Sequence, residues 1–125
     1  MTEKLKVLVV EDDLLIGADI KRSIQLLGYA VIGVVSTGEQ VLEMMETVEP
    51  DVIVMDIVLK GRLNGIDTAM RIHKRRPVPI IFLTAYGDEI TRQKVLQVKP
   101  CGYIIKPFHL DELRRAIEVA ADQCG

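Results

Sequence analysis

The sequence predicts an α/β fold, a doubly wound and mostly parallel sheet of five strands with helices on both faces. Five short runs rich in Val and Ile alternate with five segments of helical pattern along the 125 residues. The connections between them are short, so each strand–helix–strand unit reads as a right-handed crossover. The central run, Val52-Ile53-Val54-Met55 between Asp51 and Asp56, is apolar at every position. That is the pattern of a strand buried on both faces, as in a parallel sheet.

The elements follow in order. Leu5 to Val10 is a short apolar strand that contains Lys6 and ends at Glu11-Asp12-Asp13. Asp13 stands where the N-cap of the first helix belongs. That helix carries Ile20, Ile24 and Leu27 on one face, and Gly28 ends it as a C-cap glycine does. Tyr29 to Val35 is the second strand. Ser36-Thr37-Gly38-Glu39 places a Ser three residues before a Glu, a capping-box signature. The second helix then presents Val41, Met45 and Val48 and stops at Pro50. The third strand is 51–56. Asn64-Gly65 leads into a helix with Ile66, Ala69, Met70 and His73 on one stripe, ending before Pro77. Val78 to Leu83 is the fourth strand, ended by Thr84-Ala85. Asp88 to Val98 is a weaker amphipathic helix. Gly102 to Ile105 is the fifth strand, ended by Lys106-Pro107. The last helix carries Leu110, Leu113, Ile117 and Ala120, with Asp111 and Glu112 in the first turn, where the helix dipole favours acids.

Composition narrows the function. The length suits one domain with a real core, so residues 1–125 are expected to form a single domain. Apolar residues make up 49% and the net charge is −2, which excludes a global basic field for nucleic acid or anionic lipid. The cluster His73-Lys74-Arg75-Arg76 reads as a solvated helix end. No apolar run approaches the ~20 residues of a membrane span, and Leu5 to Val10 is too short for a signal segment. Cys101 and Cys124 lack metal-ligand spacing and are expected to be reduced. The chain is therefore expected in the cytoplasm. His73 and His109 share no metal spacing, and Met44 and Met45 read as helix packing.

The chemistry gathers at the carboxyl ends of the strands, where open α/β sheets bind ligands. Those ends carry Glu11-Asp12-Asp13, Asp56, Thr84 and Lys106. Clustered carboxylates repel one another unless paired, and hard oxygen ligands in that number suit Mg²⁺ together with a phosphate oxygen. Thr84 offers a hydroxyl donor and Lys106 a point charge for a phosphoryl oxygen. Asp56 can serve as a nucleophile that forms an acyl phosphate.

With these residues in place, the whole chain resembles the receiver domain of two-component response regulators. The resemblance is carried by Val9-Val10-Glu11-Asp12-Asp13, Val54-Met55-Asp56, Leu83-Thr84-Ala85 and Tyr103-Ile104-Ile105-Lys106-Pro107-Phe108. It implies a flavodoxin-like (βα)5 sheet of strand order 2-1-3-4-5. It implies that Asp56 accepts a phosphoryl group from a histidine kinase or histidine phosphotransfer protein. It also implies that Asp12, Asp56 and the backbone carbonyl of Val58 bind Mg²⁺, with Glu11 acting largely through water. Thr84 would hydrogen-bond the phosphoryl group, Lys106 would pair with it, and Tyr103 would change orientation with Thr84. Pro107 would follow a cis peptide bond. The face of the fourth helix, fifth strand and fifth helix would meet a downstream protein, or a second copy as a homodimer. Lys60 stands where the family usually has proline, and the loop from Asp56 to Gly65 is one residue longer than the commonest form. Val58 and Tyr86 flank the path of the attacking water in such domains. One is apolar and the other bulky, which implies slow self-dephosphorylation.

Three rival functions are open to comparison. A flavodoxin-like electron carrier needs a hydroxyl- and Gly-rich phosphate loop after the first strand, where this chain has acids. A Mg²⁺-dependent phosphatase with an aspartate nucleophile normally carries a second aspartate two residues on, where Val58 stands. A phosphorylation-independent docking module needs no acid cluster. The expected role is therefore a signalling switch rather than an enzyme acting on a separate substrate. No DNA-binding or catalytic output segment is legible, so the chain acts alone or belongs to a longer protein.

Overall fold

The computed structural model describes residues 4–85 and 87–123. Its elements are β1 (Lys6–Val10), α1 (Leu14–Leu26), β2 (Ala30–Val35), α2 (Gly38–Met44), β3 (Val52–Met55), α3 (Gly65–Arg75), β4 (Ile80–Thr84), α4 (Glu89–Leu96), β5 (Gly102–Ile105) and α5 (Leu110–Gln123). The five strands form one sheet in the order β2-β1-β3-β4-β5, with every pairing parallel. The expected fold class and strand order are both present.

Strand alternation divides the core in two. Leu8, Val10, Ile53, Met55, Ile80 and Phe82 face α2, α3 and α4, meeting Val41, Ile72 and Val95. Val7, Val9, Val52, Val54, Ile81 and Leu83 face α1 and α5, meeting Ile20, Ile24, Leu113 and Ile117. Both faces of the three central strands are thus dry, which is why β3 has no polar position between its flanking aspartates. β1 and β2 slip by one residue between Val7 and Leu8, and Gly33 pairs with Leu8.

Helix ends follow local chemistry. Asp13 caps α1, its Oδ1 accepting from the Leu15 and Ile16 amides at 3.0 Å. Gly28, at φ +95°, takes the left-handed turn after it. The capping box of α2 lies one residue later than Ser36/Glu39. Thr37 accepts from the Gln40 amide, and Gln40 reaches back to the Thr37 amide. Ser-x-x-Glu and Thr-x-x-Gln overlap here, and the second is formed. α2 is also shorter than expected, because the Arg75 and Arg76 guanidiniums bond the carbonyls of Leu42, Met45 and Val48. Val48 lies past its end, half-buried.

α3 is rotated from its expected face. Gly65, Thr68, Ala69 and Ile72 are buried, while Met70 is 50% exposed and His73 is exposed. Thr68 can go inside because its hydroxyl donates to the Asn64 carbonyl at 2.7 Å. In α5, Leu113, Ile117 and Ala120 are buried, but Leu110 at the helix start is exposed. The Lys106–Pro107 peptide is cis. Cys101 is disulfide-bonded, contrary to the expectation of a reduced thiol. Among the described residues, no helix is long and apolar enough to cross a membrane.

Candidate functional site at the strand ends

The parallel register brings the ends of β1 and β3 side by side. Val10 pairs with Met55, so the next residues, Glu11 and Asp56, are neighbours at the sheet rim. The Asp56 amide donates to the Val10 carbonyl at 3.0 Å and the Glu11 amide to the Val35 carbonyl at 2.9 Å. These bonds fix both backbones where the sheet ends. On the other side, β4 and β5 end together as Thr84 and Ile105. The Lys106 amide donates to the Thr84 carbonyl at 2.7 Å, which turns its side chain's stem back across the rim.

Lys106 joins the two acids. Its Nζ donates to Glu11 Oε2 at 2.9 Å and to Asp56 Oδ2 at 3.0 Å. Glu11 is 3% exposed and Asp56 9% exposed. Asp12 completes the cluster: one carboxylate oxygen from each of Glu11, Asp12 and Asp56 lies within 4.8 Å of the others. The remaining oxygens have lighter duties. Glu11 Oε1 accepts from the Asp13 amide at 3.2 Å, and Asp56 Oδ1 from the Val58 amide at 3.3 Å.

The electrostatics follow from burial. Desolvation pushes the Glu11 carboxyl up to about 7; the Lys106 bond opposes this, and Asp56 adds to it. Burial disfavours the Lys106 ammonium, yet its bonds to Glu11 and Asp56 prevail and hold it above the ordinary lysine value. Three carboxylates facing one ammonium leave a surplus of negative charge at a largely dry rim. An all-oxygen donor set of this size and sign fits a hard divalent cation such as Mg²⁺.

Thr84 is fully buried at the end of β4. Tyr103 is half-buried on β5, opposite Phe82, and burial followed by the charge of Asp88 raises its phenol. Val58 lies just beyond Asp56 and is 51% exposed. Asp13 points its carboxylate into α1 and stays out of the cluster. Tyr86 lies outside the described residues. His73 sits against the Val78 carbonyl at 3.2 Å, and neither histidine joins a metal-ligand group among the described residues. The sequence reading missed the direct Glu11–Lys106 pair and the contact of Glu39 with the loop after Asp56. The first had a signal in the acid and lysine types; the second had none, because Glu39 was assigned to helix capping.

Comparison with known proteins agrees with this arrangement. The sequence model of the response regulator receiver domain matches residues 7–118. The chain is 32% identical over 118 residues to the transcriptional regulatory protein PdtaR of Mycobacterium tuberculosis, covering 94% of this chain and 57% of that protein. It is 36% identical over 114 residues to the probable transcriptional regulator ycf27 of Guillardia theta, covering 91% and 44%. The chain thus spans about half the length of these relatives. Among solved structures, the signal receiver domain of a modulated diguanylate cyclase from Desulfovibrio desulfuricans G20 superposes with a TM-score of 0.88 at 39% identity, covering 95% of this chain and 94% of that one. The receiver domain of the sensor histidine kinase PA1611 of Pseudomonas aeruginosa PAO1, solved with magnesium in its active-site cleft, gives 0.86 at 32% identity, covering 95% and 98%. The match over 7–118, the 2-1-3-4-5 sheet and relatives on both counts agree: the chain belongs to the response regulator receiver domain family.

Proposed function

We propose that residues 1–125 form one receiver domain that works as a phosphoacceptor switch, with Asp56 as the acceptor. The observation that carries this is Lys106 held between buried Glu11 and Asp56 while Asp12 lies within the same cluster. The donor is a phosphohistidine on a histidine kinase or phosphotransfer protein. An Asp56 carboxylate oxygen forms the new bond to phosphorus as the P–N bond breaks. The electron pair of that bond stays on the imidazole nitrogen, which regains a proton. Lys106 exchanges its Asp56 bond for a phosphoryl oxygen, which it reaches as a mobile point charge. Asp12, Asp56 and the Val58 carbonyl, with Glu11 acting through water, would hold Mg²⁺, which supplies charge neutralisation for the phosphoryl oxygens. The Thr84 hydroxyl donates to the phosphoryl group, and Tyr103 follows it. That movement biases a pre-existing equilibrium and alters the α4–β5–α5 face toward a protein target or a second copy. The acid-rich rim and the net charge of −2 support a protein partner over nucleic acid, and a cytoplasmic setting fits a kinase donor.

The test is intact mass after incubation with acetyl phosphate, with and without Mg²⁺, on the wild type and Asp56→Asn. One added phosphoryl group that needs Mg²⁺ and is lost in Asp56→Asn is expected. Labelling that persists in Asp56→Asn would refute the assignment, and continuous turnover of an added phosphate ester would favour a phosphatase.

A further inference from the structure

The loop that follows Asp56 is held from a direction the phosphoacceptor reading does not use. At its far end the Gly65 amide donates to the Ile57 carbonyl at 2.6 Å. A side chain at Gly65 is excluded, since a Cβ there would lie 2.2 Å from the Asp56 carbonyl oxygen. The middle of the loop is tied to the start of α2. Thr37 and Lys60 form an isolated parallel bridge. The Leu63 amide donates to Glu39 Oε1 at 3.0 Å, between residues 24 apart in the chain. The other carboxylate oxygen of Glu39 fills the space beside Gly61, where a Cβ would come within 2.5 Å of it and where φ is +93°. Leu63 itself packs against the core. Val58 lies on this loop, between the Ile57–Gly65 closure and the Lys60–Thr37 bridge, and its amide bonds Asp56 Oδ1.

We propose that Glu39 is a positioning residue for the acid cluster. Through Leu63 and Gly61 its carboxylate sets the path of the loop, and with it the place of the Val58 backbone beside Asp56. This rests on the phosphoacceptor reading and extends it to a residue outside the strand ends. Residues 57–64 contain no proline, so this segment has no rigid φ of its own. An external tether takes over that role.

Glu39 also sits in the first turn of α2, where a carboxylate is favoured by the helix dipole alone. The two roles separate by substitution. Glu39→Gln keeps the reaching acceptor oxygen and loses the charge. Glu39→Asp keeps the charge and loses the reach. The full chain and its Gln, Asp and Ala variants are titrated with MgCl₂ by calorimetry, the hydrogen exchange of the Leu63 amide is measured, and acetyl phosphate labelling is followed by mass. Positioning predicts that Asp and Ala variants bind Mg²⁺ roughly three- to tenfold more weakly, the scale of one lost hydrogen bond. Their Leu63 amide exchanges faster by about the same factor, while Gln stays near the wild type. If Gln and Ala weaken together while Asp resembles the wild type, the acid serves only the dipole and the proposal is overturned. Wild-type behaviour in all three variants overturns it too, with the phosphoacceptor reading intact. A wild type that neither binds Mg²⁺ nor takes label brings down both.

Discussion

Replacing Asp12 with Asn should make the metal-free protein more stable while removing its response to Mg²⁺. The carboxylate oxygens of Glu11, Asp12 and Asp56 lie within 4.8 Å of one another. At that distance two unit charges repel by about 0.9 kcal/mol in bulk water and by about 3.5 kcal/mol at an effective dielectric constant near 20. Asp12 is the most exposed of the three, so the lower end applies, and it faces two acids. Neutralising it therefore relieves about 1–2 kcal/mol, since Lys106 is bonded to the other two acids and already offsets part of the field. For 125 residues the unfolding entropy is about 0.26 kcal/mol/K. The expected rise in Tm is then roughly 4–8 °C in chelator. With MgCl₂ the wild type should gain stability by mass action and the variant should not. Thermal unfolding followed by circular dichroism, each protein with EDTA and with MgCl₂, makes the comparison. A variant that melts below the wild type in EDTA would refute the reasoning, because it would mean that the Asp12 carboxylate is held by favourable contacts and not strained by its neighbours.

Three other outcomes are expected. Burial raises Glu11 to about 7 in the folded state, above its unfolded value of 4.5, so the folded form binds more protons between those values. Metal-free stability should therefore rise as pH falls from about 7.5 to about 5, by at most about 1.4 kcal/mol per unit. Lys106, raised above 10.5, contributes fully throughout that window and does not alter the slope. Urea midpoints in chelator across this range check the sign. Gly38→Ala should cost about 1–3 kcal/mol, because a Cβ there would meet Thr68 Oγ1 at 2.0 Å. Adding Thr68→Ala should recover part of that loss in urea denaturation. On the phosphoacceptor reading, Val58→Asn with Tyr86→Glu should shorten the life of the acyl phosphate several-fold, followed by mass after removal of the donor; an unchanged decay would refute the role of those positions.

The sheet was legible because burial on both faces leaves no choice of residue: Val52 to Met55 has to be apolar at every position, and it is. The site was legible for a related reason. Glu11, Asp56 and Lys106 each end an apolar run, and an ionisable group there needs a partner at the same rim. The helices were less legible because several faces compete. In α3 the run Ile66, Ala69, Met70 and His73 has the right spacing, but so does Gly65, Thr68, Ala69 and Ile72. The hydroxyl bond of Thr68 to the Asn64 carbonyl and the close approach of Gly65 to the Asp56 carbonyl favour the second. Around Ser36 the ambiguity is one residue wide. Both capping boxes fit the sequence, and the formed one frees Glu39 to reach across to Leu63. A contact between residues 24 apart, made by an exposed carboxylate, leaves no periodic trace.

On the phosphoacceptor reading, stability and response are opposed at the strand ends. The rim gathers more negative charge than Lys106 alone can offset. A proton on Glu11 and a divalent cation among the acids are two ways to relieve that excess, and they exclude each other in their pH dependence. The proton stabilises as pH falls, whereas the cation binds better as pH rises, because its ligands must be ionised. Metal-free stability should therefore rise as pH falls, whereas with Mg²⁺ it should be nearly flat, because the cation keeps Glu11 ionised in the folded state as it is in the unfolded chain. Parallel slopes would mean that the ion binds away from Glu11, Asp12 and Asp56. The surplus charge that weakens the metal-free fold is, on the phosphoacceptor reading, what favours a cation beside Asp56 when the phosphoryl group arrives.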